Sequence, residues 1–463
     1  MLNPTIIVRD KQESNQLEIK RMGVYKQSKV IEATDEQDQT YYLFFYKEQF
    51  LNYLIPEKTP TRSHVVDCFT KGITLDPPHP LIVSIVSPHP HFKKHEDADL
   101  FKKIQKQYSP QEAALIAKYF ESFIKKDKIA DFIETLFYKE RRDGKLLSCY
   151  RILTLLKEIA PNHTVVTTFS GDMAFTKYAD LYKNSDIKTL ARDEIFVERK
   201  LYSSKHNEQP FQKLLAIYLE QNRWVDAITI YIDQVVHTQK VEDYQSLLSM
   251  VNDHFDGEER FYFLKDLYTR GLHIKQLHSD LLNASIENDK LEGILTLLNE
   301  QDLTLEPLQS QKLLDMVKQH GIASDSISPE GLQKLILTLS KSEDPQVEDT
   351  LNQTISLLMD NHNLTYIQEW AKPLRNEITE PTFAKIDEMV QITDDPNQQQ
   401  RLGELYHEFH QPRLAIDCMS WDMELRENDP KPVQWLAKLY DELGMNDEHK
   451  AYQQLYIDMV KRS

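Results

Sequence analysis

Glycine is scarce in this 463-residue sequence, with 11 residues, where average usage of about 7% would give about 32. Few glycines leave few positions suited to a positive φ, which disfavours a loop-rich enzyme and favours helices joined by short polar turns. Cysteine is also sparse. Cys68, Cys149 and Cys418 are far apart and form neither a disulfide framework nor a zinc motif, which indicates a reducing, cytoplasmic compartment.

Long apolar runs are missing too. The longest, Tyr41–Tyr46 and Pro80–Val86, are far shorter than the ~18 residues of a spanning helix, and no apolar core of signal-peptide length follows Met1. The sequence has no phosphate-binding glycine loop, no Gly-x-Ser-x-Gly elbow and no His-Glu-x-x-His helix. It therefore predicts a soluble cytoplasmic protein with no membrane contact, no cofactor and no enzymatic activity.

Acidic charge is concentrated in the C-terminal half. The formal net charge is −18, and residues 201–463 hold 24 basic and 45 acidic side chains, whereas residues 101–200 hold 19 and 14. Such an acidic surface repels phosphate backbones and favours a basic partner. The basic segment 93–200 is the one region that could attract nucleic acid, but its interleaved carboxylates weaken the field, so we expect nucleic-acid binding less than a solvated or internally docked face.

Short β-branched and aromatic runs fill the first 90 residues and predict a small strand-containing α/β domain. They are Thr5–Val8, Leu17–Lys20, Lys29–Glu32 and Thr40–Phe45, with a hairpin loop at Ala33–Gln39. The same reasoning predicts a further strand at Leu81–Val86 and a brief strand or buried turn at Thr164–Phe169. From about 91 to 204 the periodicity is otherwise helical, which predicts a basic helical middle region.

A signature with a period of 34 residues marks the C-terminal part. A large–small pair is followed by an aromatic residue one turn later, and a small residue follows the leading leucine by 13 positions in two separate units. This is the period of helix–turn–helix units that stack on copies of themselves. The signature residues are Leu214, Tyr218, Ala227, Tyr231, Leu402, Gly403, Tyr406, Ala415, Leu436, Ala437 and Tyr440.

At these residues the chain resembles the tetratricopeptide-repeat family, well over Leu214–Tyr231 and Leu402–Tyr440 and loosely over the remainder of 205–463. Weaker helix pairs lie between the two well-matched stretches. Their period fits the family better than their residues do, so a related type of helical repeat is also possible there. These pairs are at 281–298, with Gly293 in the small position, and across 308–318, 330–340 and 350–360. The resemblance implies a right-handed α-solenoid whose inner helices line a concave groove for a peptide or helix.

The family's best-known groove clamps a peptide's terminal carboxylate with Lys, Arg and Asn on the inner helices. The matching positions in this chain do not carry that set, so the resemblance implies a groove that recognises a different feature of its partner. The candidate partner-binding residues are Gln400, Glu404, His407, Gln434, Lys438 and Asp441.

Three histidines lie in a Pro-rich segment: His89, His91 and His95, followed by three carboxylates at 96–99. Imidazole and carboxylate are suitable ligands for divalent metals, so the cluster is a candidate metal site. The simpler interpretation is a solvated linker that leads into a helix whose N-terminal dipole favours acidic residues, and no bound metal is predicted.

The four tryptophans, Trp224, Trp370, Trp421 and Trp435, could stack ligands, but aromatic residues at helical spacing are usually core residues. Trp224 and Trp421 lie beside helix-pair turns. We expect both to fill the interface between helix pairs.

The sequence thus predicts a mainly α protein with three parts: a small strand-containing domain at 1–90, a basic helical region at 91–204 and a repeat domain at 205–463. The leading hypothesis is an interaction scaffold or adaptor that holds another protein or peptide, expected to be basic; a homo-oligomer is left open. One alternative is a regulator that contacts nucleic acid through 93–200 with the solenoid as sensor. A second is a metal-dependent enzyme built on the histidine cluster.

Overall fold

The computed structural model describes residues 5–10, 13–56, 63–184, 193–290, 329–340, 347–378 and 381–462, and the single positions Ile294, Leu297, Leu308, Gln309, Lys312, Leu313 and Met316. The chain is mainly helical with an N-terminal sheet, which confirms the predicted fold class at that level. Among the described helices, none combines the length and the apolar character needed to cross a bilayer. Contacts divide the chain into two units, Met1–His278 and Ser279–Ser463.

One mixed sheet forms the N-terminal part of the first unit. Its described strands are β1 (Thr5–Asp10), β2 (Glu13–Tyr25), β3 (Ser28–Thr34), β4 (Thr40–Tyr46), β5 (Gln49–Leu54), β6 (Ile73–Leu75) and β7 (Phe92–Lys93). The strand order is β5–β4–β3–β2–β1–β7, and β6 also pairs with β2. Only the β1–β7 pair is parallel among these strands.

The central strands β3 and β4 are buried along almost their whole length, because side chains on both faces of the sheet meet other elements. Phe44 contacts Phe120 with ring centroids 4.8 Å apart, while its neighbour Phe45 contacts Phe92 at 5.9 Å. A strand covered on both faces needs no polar alternation. This explains the continuous apolar run at 41–46.

The described helices of the first unit follow and enclose the sheet. They are α1 (His64–Thr70), α2 (Pro80–Val86), α3 (Asp97–Gln107), α4 (Pro110–Tyr119), α5 (Lys126–Arg142), α6 (Leu146–Ile159), α7 (Thr164–Phe169), α8 (Met173–Asn184), α9 (Glu194–Tyr202), α10 (Glu208–Glu220), α11 (Trp224–Thr238), α12 (Val241–Asn252) and α13 (Gly257–Thr269). The next helix, α14 (Lys275–Glu287), spans the division between the units.

Two predicted strands are wrong, because both segments are helices. In α2, Pro80 occupies the first turn and the His79 Nδ1 accepts the Leu81 N–H at 3.2 Å. In α7, the His163 Nδ1 accepts the Val165 N–H at 3.4 Å. A ring nitrogen thus satisfies an amide that a helix start leaves without an intrahelical partner, and this local cap outweighs the β-branched composition.

The helices after residue 204 contact the sheet within the first unit. Lys29 on β3 contacts Asp226 on α11 at 2.7 Å, and the guanidinium of Arg270, the residue after α13, donates to the Thr74 carbonyl on β6 at 2.5 Å. The predicted limits at 90 and 204 therefore fall inside this unit. Its division from the second unit comes after His278.

The second unit is a succession of helices. Those described are α15 (Pro329–Ser340), α16 (Val347–Asn361), α17 (Leu364–Ala371), α18 (Pro381–Ile392), α19 (Gln399–Glu408), α20 (Pro412–Leu425), α21 (Pro430–Glu442) and α22 (Asn446–Arg462). The predicted pairs at 330–340 and 350–360 fall on α15 and α16, whereas Gly293 and most of 308–318 lie outside the described residues. From α19 to α22 each helix contacts the next, which gives a repeat-like order.

Candidate functional site

Two small residues of the 34-residue signature, Gly403 and Ala415, lie where α19 crosses α20. A Cβ added to Gly403 would lie 2.8 Å from Met419 Cε, 3.2 Å from Cys418 Cβ and 3.3 Å from the Ala415 carbonyl oxygen. Such distances are shorter than van der Waals contact, so the crossing requires the smallest side chain at 403. The other signature residues of this region are buried or half-buried: Leu402, Tyr406, Leu436, Ala437 and Tyr440.

The earlier signature residues lie in the first unit on α10 and α11. Leu214, Tyr218 and Ala227 are fully buried. Tyr231 contacts the Phe211 ring edge-to-face at 5.1 Å, which joins the two helices of the pair. These positions therefore fill the interior of a helix pair, as aromatic and small residues do in stacked hairpins.

The structure brings two of the predicted partner-binding residues, His407 and Lys438, into a shared contact. His407 on α19 lies 2.9 Å from the Glu442 carboxylate on α21, and the Lys438 ammonium lies 3.8 Å from the same carboxylate. The Trp435 ring is 5.3 Å from the His407 ring and 4.6 Å from the Lys438 ammonium. We call His407, Trp435, Lys438 and Glu442 the α19–α21 face.

The remaining predicted positions flank this face or lie apart from it. The Gln400 amide donates to Glu404 at 3.1 Å along α19, and Gln434 is exposed on α21. Asp441 is exposed as well, with its carboxylate 4.0 Å from His449 on α22. The α19–α21 face therefore carries one carboxylate, that of Glu442, beside one lysine and one histidine, and Glu404 and Asp441 add carboxylates next to it.

The tryptophans divide into buried and exposed positions. Trp224 stacks on His254 with ring centroids 4.1 Å apart, and Trp370 is buried with its indole N–H donating to the Pro329 carbonyl at 2.7 Å. Trp421, by contrast, is 54% exposed. The expectation that Trp421 fills an interface between helix pairs is wrong, because more than half of this residue is exposed.

The three predicted metal-site histidines do not form a ligand cluster. Among the described residues, the group whose potential ligand atoms all lie within 4.8 Å of one another is Asp131, Glu134 and His163. His89 instead lies among aromatic rings, 5.2 Å from Phe92, and the His95 Nε2 lies 3.5 Å from the Lys103 nitrogen. A neighbouring ammonium disfavours a bound cation.

The Asp131–Glu134–His163 group is explained without a metal. The His163 Nδ1 accepts the amide N–H at the start of α7, so Nε2 carries a ring proton. That nitrogen faces the Glu134 carboxylate at 3.8 Å. It therefore has no free lone pair to offer a cation.

Carboxylates offset many charges of the basic segment 93–200. Lys128 pairs with Asp97 at 2.8 Å, and Lys145 pairs with Glu140 at 3.3 Å. Lys103 is turned inward and donates to the Leu51 carbonyl at 3.3 Å. The segment is therefore held to its own chain in large part, which reduces the field that a polyanion would meet.

A polar cleft that the sequence did not reveal lies in the first unit. It comprises two adjoining cavities of 400 and 550 Å³ that share Lys26, Glu158 and Arg199 in their walls. The walls are contributed by the β2–β3 turn and by helices α1, α4, α6 and α9. Glu158 accepts from Lys118 at 2.5 Å and from Arg199 at 2.9 Å, so a single carboxylate binds two cations there.

Lys26 faces this cleft from the two-residue turn between β2 and β3. Its φ is 58°, a left-handed conformation that hairpin turns usually assign to Gly or Asn. Burial, together with the charges of Arg199 and Lys118, lowers the pKa of Lys26 to about 8. Without the fold, Lys26 is an ordinary charged residue, so no signal in the sequence points to this position.

A serine, a histidine and a cysteine meet beneath the cleft. The His64 Nε2 is hydrogen-bonded to the Ser28 hydroxyl at 2.8 Å and lies 3.4 Å from the Cys68 sulfur. Burial raises the pKa of the Cys68 thiol, and burial with the nearby cations lowers the pKa of His64 to about 3. Both groups are therefore neutral near pH 7, unlike the thiolate of an activated cysteine.

A buried ion network joins the sheet to the helices of the first unit. The Lys29 ammonium contacts Asp226 at 2.7 Å and donates to the Lys47 carbonyl at 2.8 Å. Arg223 contacts the other Asp226 oxygen at 2.9 Å and binds both oxygens of Glu198 at 2.8 and 2.9 Å. Although burial alone would raise the pKa of Asp226, Arg223 and Lys29 lower it.

Comparisons with known proteins place the chain in no family. No family model matches it, and no curated protein matches it. A solved structure described as a circular tandem repeat protein with novel repeat topology and enhanced subunit contact surfaces is 14% identical, covering 79% of this chain and 89% of that chain, with a TM-score of 0.15. The chain's own helices define its class: a mainly helical, repeat-like protein with a strand-containing N-terminal domain.

Proposed function

We propose that this protein is an interaction scaffold that holds a peptide or helical segment of a partner protein along the α19–α21 face. Tetratricopeptide-like pairing and a right-handed stack of the pairs are part of this proposal. The observation that supports it is the contact of His407 on α19 with Glu442 on α21. These are the first helices of two successive pairs, so their side chains form one continuous surface.

The chemistry of the face suits a basic or amphipathic segment. Glu404, Lys438 and Glu442 have 29%, 52% and 41% of their side chains exposed, so their charges are accessible. Trp435 is half-buried, and an aromatic ring of this kind is a frequent anchor in protein interfaces. With the acidic excess of residues 201–463, the face attracts positive charge, and association slows as salt rises.

A photo-crosslinking amino acid placed at single positions of the full-length chain tests the proposal. Gln434, exposed on α21, is the test site, and Gln453, exposed on α22, is the matched control. We expect the Gln434 position to capture a partner in a lysate of the source cells and the Gln453 position not to capture it. Capture at Gln434 should decline as the salt concentration of the lysate is raised from about 50 to about 500 mM. Equal capture at both sites, or capture that grows with salt, would contradict the proposal; capture of a second copy would identify a homo-oligomer.

A further inference from the structure

The polar cleft of the first unit holds more positive than negative charge. Lys71 pairs with Asp67 at 2.8 Å, and Arg151 pairs with Asp193 at 3.0 Å. Lys118 and Arg199 share the single carboxylate of Glu158. Within the described part of the chain, the Lys26 ammonium has no carboxylate within 4.0 Å.

Arg199 also keeps donors available. Its contacts with Glu158 use Nη2, at 2.9 and 3.2 Å, and its Nε and Nη1 donate to no other described residue. A guanidinium presents five N–H donors in a planar fork, and this geometry matches the oxygens of a phosphate or a carboxylate. The cleft therefore combines an ammonium that lies 4.5 Å from the Tyr25 ring centroid and has no carboxylate partner with a guanidinium that keeps free donors.

The turn that carries Lys26 is fixed by the sheet. The Lys47 N–H donates to the Gln27 carbonyl at 2.6 Å, and the neighbouring Ser28 hydroxyl is hydrogen-bonded to His64. A residue held in a left-handed conformation at some energetic cost often marks a functional position. The backbone therefore holds a cation at the wall shared by the two cavities.

We propose that this cleft binds a small molecule through an oxyanion group, a phosphate or a carboxylate, with Lys26 as its counter-charge and Arg199 and Lys118 beside it. The size is suitable, because cavities of about 300–1,000 Å³ hold small ligands and the two here measure 400 and 550 Å³. The site is separate from the α19–α21 face. It adds a small-molecule ligand to a protein whose proposed role is to hold another protein.

The proposal predicts a characteristic pH dependence. Lys26 must be protonated to bind an anion, and its pKa is lowered to about 8, so affinity decreases as pH rises through about 8. The charged side chains that face the cleft from the surrounding elements are Asp67, Lys71, Lys118, Glu121, Arg151, Glu158, Asp193, Arg199 and Lys200. A bound oxyanion stabilises the protonated amine and raises the pKa of Lys26.

Protection from acylation tests the site in the unmodified full-length protein. Lys26 is treated with acetic anhydride at about pH 8, where about half of its amine is free, and labelling is read by peptide mass spectrometry. Inorganic phosphate and succinate, each at millimolar concentration, are the probes for the two oxyanion classes. We expect at least one of them to slow the labelling of Lys26 severalfold without slowing that of Lys20, which is exposed and paired with Glu18.

Direct binding by calorimetry or thermal shift provides the second measurement, with Lys26→Gln as the variant. We expect the variant to bind the effective probe about tenfold more weakly or worse. We also expect wild-type affinity for that probe to drop between about pH 8 and about pH 9.5, where the charge of both probes is constant and Lys26 loses its proton. Lys47→Gln is the matched control, because Lys47 has a φ of 54° in the β4–β5 turn and lies outside both cavities. Circular dichroism establishes that both variants are folded.

The outcomes are distinct. Protection by phosphate alone or by succinate alone supports the proposal and identifies the oxyanion class. The proposal is overturned if neither phosphate nor succinate protects Lys26 at millimolar concentration, or if wild type and Lys26→Gln bind the probes with equal affinity. Because the labelling experiment uses wild-type protein, a variant that fails to fold does not remove the test.

Discussion

Replacement of Asp226 by asparagine isolates the electrostatic role of the buried network. The substitution keeps the shape of the side chain and removes its charge. Lys29 and Asp226 are 0% and 1% exposed, so Lys29 would lose its counter-charge where water cannot replace it. The amide has one oxygen for two donors, Lys29 and Arg223, and its nitrogen would face one of them.

The expected loss is about 3–5 kcal/mol in the free energy of unfolding, the usual effect of removing one partner from a buried ion pair. The double variant Lys29→Met/Asp226→Asn should recover part of this loss, because the amide oxygen can then serve Arg223 alone while methionine replaces the ammonium. The stability effects of substituting two residues in contact do not simply add. We therefore expect the double variant to be more stable than Asp226→Asn.

The pH dependence has a definite sign. Burial lowers the pKa of Lys29, and the charge of Asp226 is the largest contribution that raises it again. Without that charge, the pKa of Lys29 in the folded state falls further. An unfolded lysine still binds a proton up to about pH 10, so the unfolded state of the variant holds more protons than its folded state. Stability of Asp226→Asn should therefore rise with pH toward about 10.

Hydrogen exchange of the full-length chain measures the effect locally. Peptides from β3 and α11 should lose protection, while peptides from α19 and α20, whose buried contacts are outside the network, serve as the internal reference. A loss below about 1 kcal/mol, the value of an exposed pair, would refute the reasoning. The reasoning would also be refuted if the double variant lost as much stability as the two single variants lose together.

Three further predictions concern single buried positions. Gly403→Leu should destabilise the α19–α20 pair by about 1–3 kcal/mol through overpacking, visible as faster proteolysis of this pair, whereas Ala415→Gly should have a much smaller effect. Wild-type protein should lose stability as pH falls from about 6.5 toward 3, because unfolded histidine binds a proton there while the pKa of buried His64 is about 3; His64→Gln should show a shallower pH slope in thermal unfolding, and an unchanged slope would rule this out. Cys68 should resist thiol reagents in the native protein, because burial raises the pKa of its thiol, and should react once the chain is unfolded in urea.

The strands and the signature helices could be predicted from sequence because their information is local. The predicted strand at Thr40–Phe45 corresponds to β4, since a run of aromatic and β-branched residues bounded by polar turns has few alternatives. Gly403 could be singled out for the same reason, as a small residue at a fixed place in a period. The two mispredicted strands, α2 and α7, begin with histidine caps, and histidine is outside the usual set of N-cap residues.

The cleft could not be predicted, because its chemistry depends on residues that only the fold brings together. Lys26 comes from a turn of the sheet, Glu158 from α6 and Arg199 from the first-unit helix α9. Each is an ordinary charged residue in its local sequence. Pairing rules for neighbouring positions do not relate residues so far apart in sequence.

The bridge from β3 to α11 also has a consequence for synthesis, since its two ends are 197 residues apart. At a translation rate of about 5–20 residues per second, Asp226 is synthesised about 10–40 s after Lys29. During this time the Lys29 ammonium of the nascent sheet has no counter-charge from α11. Until Asp226 has left the ribosome, the N-terminal strands cannot reach their final packing. Chaperones that protect unfinished chains would have their longest engagement over this interval.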